Sequence, residues 1–216
     1  MIEQVIYTIG VDESGKGDFY GPLVIAAAAI SELEMPLLDE LYVRDSKKLT
    51  DQRVLKVAAR LVREIPCEVV TIMPSKYNEL YEKIRNLNRL LAWGHARAAE
   101  NLLDKVKATK MISDQFARAD VLEGALMEKA RGVELLQATG GESFAPVAAA
   151  SIIARAEFLQ RLQQLESKWG MKLPKGAGPQ VDQQGKAFLG KWGVDKLGEV
   201  AKLHFKNVRK IDALVG

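Results

Sequence analysis

An uninterrupted apolar segment, Leu23–Ile30, most strongly constrains how this chain can fold. A strand that is apolar on both faces has to be covered on both faces, so it belongs inside a layered sheet. The preceding residues 5–11 carry apolar side chains at alternate positions, which predicts a first strand. A glycine-rich loop joins the two segments, and we expect them to pair as a hairpin.

Further along the chain, helical and strand patterns alternate. Thr50 is a good N-cap residue for a helix that Pro66 ends. The order of elements predicts an α/β fold with a central mixed five-stranded sheet flanked by helices and a small helical carboxy-terminal segment. We expect residues 1–170 to form the main domain, with residues 171–216 as a basic loop and helical segment packed on it. The other predicted elements are a strand over Cys67–Met73, a helical stripe from Leu87 to Val106, short strands at Met111-Ile112-Ser113 and Val133–Leu136, and a helix from Pro146 to Trp169.

The composition is that of a globular protein that can accept a polyanionic partner. Of the 216 residues, 48% are apolar and 27% are charged, which argues against a disordered chain, and the net charge is +3. Cys67 is the only cysteine, which excludes an intramolecular disulfide and a thiolate zinc site. The first residues lack the features of a signal peptide, and no apolar run approaches the roughly 20 residues needed to cross a bilayer. We therefore expect a cytoplasmic protein that does not associate with membranes.

The most informative stretch is Asp12-Glu13-Ser14-Gly15-Lys16-Gly17-Asp18. Two adjacent carboxylates end the first strand, where burial is costly unless a cation or hydrogen bonds offset it. The Gly-Lys-Gly that follows lets the backbone approach a ligand closely and offers amide donors beside one positive charge. Carboxylates next to such a loop suit Mg²⁺-dependent phosphodiester chemistry, because hard oxygen ligands hold the ion. The alternative, a polar hairpin turn with a solvated Asp-Glu pair, has about equal weight on spacing alone.

Two further acids follow predicted strands. Asp114 comes directly after the short apolar strand, and Glu142 follows the fifth strand within Thr139-Gly140-Gly141-Glu142. Strand ends on one edge of a parallel sheet converge, so Asp12 and Asp114 are expected to share a site. A loop glutamate alone is usually solvated, and it is the combination of acids that indicates a metal centre.

Several stretches of the sequence resemble the ribonuclease HII/HIII family. The stretch from Asp12 to Leu23 is similar to the one that opens the catalytic domain of ribonuclease HIII, whereas HII enzymes carry Gly-Arg-Gly where Gly15-Lys16-Gly17 stands here. Together the similar stretches cover almost the whole chain in the family's order. The others are Asp45–Leu49, Asn86–His95, Asp114-Gln115-Phe116, Val147–Arg155 and the tail Ala201–Asn207.

The resemblance implies a ribonuclease H-like fold and an endoribonuclease that cuts the RNA strand of RNA/DNA hybrids. The implied mechanism uses two metal ions, Mg²⁺ or Mn²⁺, and leaves 5′-phosphate and 3′-hydroxyl ends. The implied catalytic residues and metal ligands are Asp12, Glu13, Asp114 and Glu142. The family's fourth acid usually follows Lys-Ala or Lys-Gly, but Gly140-Gly141 precedes Glu142 here, which leaves Glu157 as the competing assignment.

The resemblance also implies a set of residues that bind substrate. For Lys47, Lys48 or Lys175 taken alone, a solvated basic surface is an equally good interpretation. The set is Ser14, Gly15, Lys16, Gly17, Lys47, Lys48, Ser151 and Lys175.

Two departures from the family concern the substrate. HIII enzymes generally carry an extra amino-terminal domain, which we do not expect here because Asp12 lies so near Met1. HII enzymes place a tyrosine near the ribonucleotide–DNA junction, and Ala177 occupies the comparable loop position. We expect the protein to recognise hybrids by their shape and by contacts to 2′-hydroxyl groups. We also expect it to be a monomer without an obligatory protein partner and to serve DNA replication and repair. The open alternatives are HII-like activity at single ribonucleotides, another metal-dependent nuclease of the same fold, and a non-catalytic nucleic-acid-binding module.

Overall fold

The computed structural model describes residues 5–43, 49–114, 119–125 and 130–212. Its strands are Tyr7–Ser14 (β1), Leu23–Ile30 (β2), Cys67–Ile72 (β3), Ala108–Asp114 (β4) and Glu134–Ala138 (β5). Its helices are Met35–Glu40 (α1), Asp51–Glu64 (α2), Pro74–Ile84 (α3), Leu87–Leu103 (α4), Ala119–Glu123 (α5), Ala145–Trp169 (α6), Pro179–Trp192 (α7) and Asn207–Asp212 (α8).

The five strands form one sheet in the order β3-β2-β1-β4-β5. β1 and β2 are neighbours, as the expected hairpin requires, and β1 pairs in parallel with β4, which pairs in parallel with β5. The crossover that parallel pairing needs is supplied by helices between β1 and β4 along the chain. A mixed five-stranded sheet flanked by helices is therefore confirmed.

The apolar run that predicted a central strand is buried along its whole length. Every residue of β2 is buried, and none exceeds 4% exposure. Helix α4 lies close against this strand, because a Cβ added at Gly94 would come 2.7 Å from Cδ1 of Ile25. Glycine at that position lets the helix backbone approach the sheet, so α4 packs directly on β2.

Local signals explain where the helices begin and end. The Thr50 side chain accepts a hydrogen bond from the Arg53 backbone at 3.3 Å, which confirms the predicted N-cap of α2. Helices α1 and α3 are additional to the predicted elements. The chain breaks between α3 and α4 because Arg85 has a φ of 49° and the Asn86 side chain caps α4 by accepting from Arg89 at 3.1 Å.

Contacts divide the described residues into two compact units. The first comprises those within residues 1–13, 25–70 and 86–156, and the second those within 14–24, 71–85 and 157–216. These units interleave along the chain. The division at residue 170 remains a prediction about domains.

The length of the helices and the state of the single cysteine bear on the expectations about membranes and disulfides. Within the described ranges, no helix combines the length and apolar character needed to cross a membrane. Cys67 is half-buried and free of any disulfide, and burial raises the pKa of its thiol. This environment keeps the thiol protonated, as expected of a structural cysteine.

Candidate active site

The carboxylates that follow the first strand emerge at the end of its buried part. Residues 9–11 of β1 are buried, and the next residues, Asp12 and Glu13, are half-buried. The strand delivers two adjacent acids to the carboxyl edge of the sheet. Because side chains alternate along a strand, these acids point to opposite faces.

The parallel neighbour β4 delivers Asp114 to the same edge. Val11 is paired with Ser113 in the register, so the next residues along the two strands, Asp12 and Asp114, lie side by side. Adjacent strands are roughly 4.8 Å apart and paired side chains share a face. Strand geometry in the first unit therefore brings these two acids to neighbouring positions at the edge of the sheet.

Asp12 lies in an environment that disfavours its negative charge. Burial raises the pKa of its carboxyl to about 6, and repulsion from Glu13 adds to the shift. Hydrogen bonds from the Ser151 side chain and the Glu13 amide, the latter at 2.8 Å, oppose the shift without cancelling it. A divalent cation beside Asp12 would remove this cost, because it favours the ionised carboxylate.

Glu13 lies on the other face, where a hydrogen-bonded chain ties it to β4. Its Oε2 is 3.0 Å from Nε2 of His95, a fully buried residue of α4, and Nδ1 of His95 is 3.0 Å from the Ser113 hydroxyl. That hydroxyl donates its single hydrogen to the Asp114 carbonyl oxygen at 3.0 Å, so it accepts one from His95 Nδ1. The His95 ring thus links the Glu13 carboxylate to the Ser113 hydroxyl.

His95 is a functional candidate to which the sequence assigned no role, although it ends the family-like stretch Asn86–His95. It is one of only two histidines in the chain and falls on the buried, sheet-facing side of an amphipathic helix. Those two signals mark it as a polar group that needs a partner, but the partner itself comes from strands distant in sequence. We infer that His95 fixes the orientation of Glu13.

Asp114 is oriented by the turn that carries Glu142. The Gly141 amide donates to Oδ1 of Asp114 at 2.8 Å, within the 3-10 turn Gly141–Ser143. A Cβ at Gly141 would lie 3.0 Å from the Asp114 Cα, so the turn passes close against the end of β4. The backbone of Glu142 follows directly, whereas its side chain lies outside the described part of the structure.

The competing acid, Glu157, has partners of its own. It lies on α6 in the second unit, where its Oε1 accepts hydrogen bonds from Arg161 at 2.7 Å and from Thr71 at 3.0 Å. A carboxylate already paired with a guanidinium has less need of a metal ion. This arrangement favours Glu142 as the fourth acid.

The residues expected to bind substrate are divided between the two units. Ser14–Gly17 follow Glu13 directly and belong to the second unit, as does the exposed Lys175. Ser151 lies on α6 in the first unit and hydrogen-bonds Asp12, which gives it a supporting role beside the acids. Lys47 and Lys48 lie outside the described residues.

The acidic residues of the first unit suit a hard divalent cation. Mg²⁺ and Mn²⁺ prefer carboxylate oxygens, and the burial that raises the pKa of Asp12 is a cost that a nearby cation would offset. Among the described side chains, no three of the Asp, Glu, His and Cys type are grouped closely enough to form a metal site. Glu13 is turned toward His95 here, and the Glu142 side chain is not among those described, so two of the expected ligands do not enter such a group.

Comparison with known proteins decides the family. A family model described as Ribonuclease HII matches residues 9–208. Ribonuclease HIII of Protochlamydia amoebophila is 42% identical over 208 residues, which are 96% of this chain and 68% of that protein. The chain belongs to the ribonuclease HII/HIII family.

Ribonuclease HIII proteins of other organisms are also similar to this chain. Ribonuclease HIII of Chlamydia pneumoniae is 44% identical over 209 residues, which are 94% of this chain and 69% of that protein. Among solved structures, Bst-RNase HIII in complex with Mn²⁺ has a TM-score of 0.90 at 32% identity and covers 98% of this chain and 71% of that one. The ribonuclease H-like fold is therefore confirmed, and the similarity extends over nearly all of the chain.

Proposed function

We propose that this ribonuclease HII/HIII family member is an endoribonuclease that hydrolyses the RNA strand of RNA/DNA hybrids. The observation that carries the proposal is the position of Asp12 and Asp114, each one residue beyond the paired Val11 and Ser113, with the Gly141 amide bonded to Asp114 directly before Glu142. The metal ligands in the proposal are Asp12, Glu13, Asp114 and Glu142. Mg²⁺ or Mn²⁺ is the proposed ion, in keeping with the Mn²⁺ complex of Bst-RNase HIII.

Asp12, Glu13, Asp114 and Glu142 would hold the ions, whose chemistry would be to activate a water at neutral pH and to stabilise negative charge on the leaving 3′ oxygen. The protein's own part is to hold carboxylates in fixed positions at the edge of the sheet. Ser151 and the Glu13 amide orient Asp12, the Gly141 amide orients Asp114, and His95 orients Glu13. Such positioning matters because small misplacements of reacting groups are costly in rate.

The direct test is cleavage of a labelled RNA/DNA hybrid in the presence of Mg²⁺ or Mn²⁺, compared with matched DNA and RNA duplexes. We expect cleavage of the hybrid alone, with 5′-phosphate and 3′-hydroxyl products. Equal cleavage of the DNA duplex would indicate another nuclease of the same fold. Binding of the hybrid without cleavage would indicate a non-catalytic module. A monomeric state, action without a protein partner and a cytoplasmic location belong to the same proposal.

Glu142→Gln should reduce hybrid cleavage far more than Glu157→Gln, by at least roughly tenfold. Glu142 follows directly after Gly141, whose amide bonds to Asp114, whereas the Glu157 carboxylate is paired with Arg161. Loss of a residue that supports a metal ligand costs roughly 10–100-fold in activity, and loss of the ligand itself should cost more. Steady-state rates at saturating Mg²⁺ measure the difference, and the reverse order would assign the fourth acid to Glu157.

Runs of ribonucleotides should be cleaved better than a single ribonucleotide embedded in DNA. Lys16 supplies an ammonium where HII enzymes have a guanidinium, which can form a bidentate fork. Ala177 is exposed and offers a methyl group where a tyrosine ring would stack on the sugar. We expect kcat/KM for a four-ribonucleotide duplex to exceed that for a one-ribonucleotide duplex by roughly tenfold or more.

The double variant Lys16→Arg with Ala177→Tyr provides the matched comparison for this preference. It should gain activity on the single ribonucleotide and keep its activity on the hybrid. Equal kcat/KM values for the two duplexes in the unmodified protein would instead favour the HII-like alternative.

A further inference from the structure

Lys202 is a fully buried lysine that the proposed mechanism does not use. Its side chain has 0% exposure, and its Nζ donates to the backbone oxygens of Asp18 at 2.8 Å and Gly21 at 2.7 Å. The ammonium also lies 5.7 Å from the centre of the Tyr77 ring. An unpaired buried ammonium would be very costly, so these contacts define where the side chain has to sit.

Both carbonyl groups belong to the loop between β1 and β2, residues 15–22, which contains Lys16. The backbone of residues 200–202 also pairs with this loop. The Lys202 amide donates to the Phe19 oxygen at 2.9 Å, and Tyr20 forms an antiparallel bridge with Ala201. The Gly21 amide donates to Val200 at 2.9 Å. The main chain of residues 200–202 and the side chain of Lys202 thus hydrogen-bond to the second half of the 15–22 loop.

Asp18 connects the 15–22 loop to a second loop, the one around Gly176, through hydrogen bonds. Its Oδ1 accepts from the Gly176 amide at 2.6 Å, and the Phe19 amide donates to the Gly176 oxygen at 2.9 Å. Gly176 stands between Lys175 and Ala177, in the loop to which substrate contacts are assigned. One residue therefore uses its carbonyl for Lys202 and its side chain for the loop around residue 176.

The chemistry of Lys202 is hard to explain by stability alone. Burial lowers the pKa of its ammonium to about 7, although the Asp18 carboxylate acts in the opposite direction. A methionine of similar volume would avoid the cost of burying a charge, and such replacements are often neutral or stabilising. What methionine cannot do is hold two carbonyl groups at a fixed distance from each other.

We propose that Lys202 and Asp18 are positioning residues that lock the 15–22 loop and the 175–177 segment into one arrangement for binding the phosphate backbone of the hybrid. This inference rests on the proposed function for its substrate and on the second unit's own contacts for its geometry. The lock acts by presenting Lys16 and the Gly17 amide in one conformation, which removes the cost of ordering them on binding.

The test compares Lys202→Met with Lys206→Met, the same change at an exposed lysine in the same segment. Hybrid affinity is measured in EDTA, so that no cleavage occurs, and KM and kcat are measured with Mg²⁺. We expect Lys202→Met to weaken the Kd and raise KM by roughly tenfold while kcat changes less, because ordering the loop then opposes binding. Lys206→Met should match the unmodified protein.

Hydrogen–deuterium exchange separates a lock from a general stabilising role. In Lys202→Met, peptides covering 15–22 and 174–178 should exchange faster, while the peptide covering β4 should not change. Faster exchange throughout the chain, or an unchanged Kd, would overturn the proposal. Should Lys202→Met fail to fold, Asp18→Ala is subjected to the same measurements with the same expected pattern, and unchanged affinity and exchange in that variant would overturn it equally. If the unmodified protein does not bind or cleave hybrids, the proposed function fails, whereas the exchange pattern still decides whether the lock exists.

Discussion

Asp12→Asn should reduce hybrid cleavage by more than about 100-fold and leave the fold intact. Loss of a residue that merely supports a metal ligand costs up to roughly 100-fold, and loss of a ligand should cost more. Asparagine has the shape of aspartate and can still accept the hydrogen bonds from Ser151 and the Glu13 amide. It cannot supply the negative charge that a divalent cation requires.

Stability should move in the opposite direction from activity. The pKa of Asp12 rises from 3.8 to about 6 on folding, mainly through burial. A folded-state pKa above the unfolded value means that the ionised carboxylate destabilises the fold above about pH 6, and that this penalty vanishes below pH 3.8. At pH 8 the variant should therefore unfold at a temperature equal to or above that of the unmodified protein.

Three measurements on purified protein check this prediction: hybrid cleavage, thermal unfolding and calorimetric titration with Mn²⁺. Asp39→Asn is the matched control, because it makes the same chemical change at an exposed position of the same unit. Asp114→Asn should behave like Asp12→Asn in activity, since its amide oxygen can still accept from Gly141. Near-normal cleavage in either variant would show that the acids at this sheet edge do not hold the metal.

Local patterns predicted the sheet well because they report on burial. The continuous apolar run required a strand covered on both faces, and β2 is buried throughout. Asp12 and Asp114 could be placed together because parallel strands bring their carboxyl ends to one edge, a rule that needs only the order of the elements. Helix α3 was missed because many of its positions are polar and because only Arg85 and Asn86 separate it from α4 along the chain. The break between the two helices depends on the backbone conformation of Arg85.

The partners of the site residues could not be predicted, because they depend on contacts between distant parts of the chain. His95 bonds to Glu13 across 82 positions, and Lys202 bonds to Gly21 across 181. A sequence shows that each group is polar within an apolar surrounding, but it does not show which atom satisfies it. Ser151 is an example, since the sequence predicts a substrate contact for it but does not show that its side chain hydrogen-bonds Asp12.

Gly10→Ala should be the most destabilising single-methyl change in the first unit. A Cβ at Gly10 would overlap the carbonyl carbon of Pro146 and the amide nitrogen of Val147. Both are backbone atoms at the start of α6, so no side chain can rotate away to relieve the clash. Either β1 or the first turn of α6 has to move.

We expect a loss of stability at or above the upper end of the roughly 1–3 kcal/mol typical of overpacked cores. For a protein of this size that corresponds to a fall in Tm of about 10 °C. Gly132→Ala is the matched control in the same unit, since a Cβ there meets nothing within 4 Å and the residue is exposed. Thermal unfolding followed by circular dichroism measures both variants, and a Gly10→Ala protein as stable as Gly132→Ala would contradict the close packing of α6 on β1.

The same change should reach the active site through α6. That helix carries Ser151, whose side chain hydrogen-bonds Asp12, and Asp12 lies two residues beyond Gly10 on β1. A shift of the helix by about 1 Å would separate the two groups, and misplacements of that size can cost about 100-fold in rate. Cleavage measured at a temperature where Gly10→Ala is still folded should therefore fall well below that of Gly132→Ala, and full activity there would mean that the Asp12–Ser151 contact does not depend on how α6 packs against the strand.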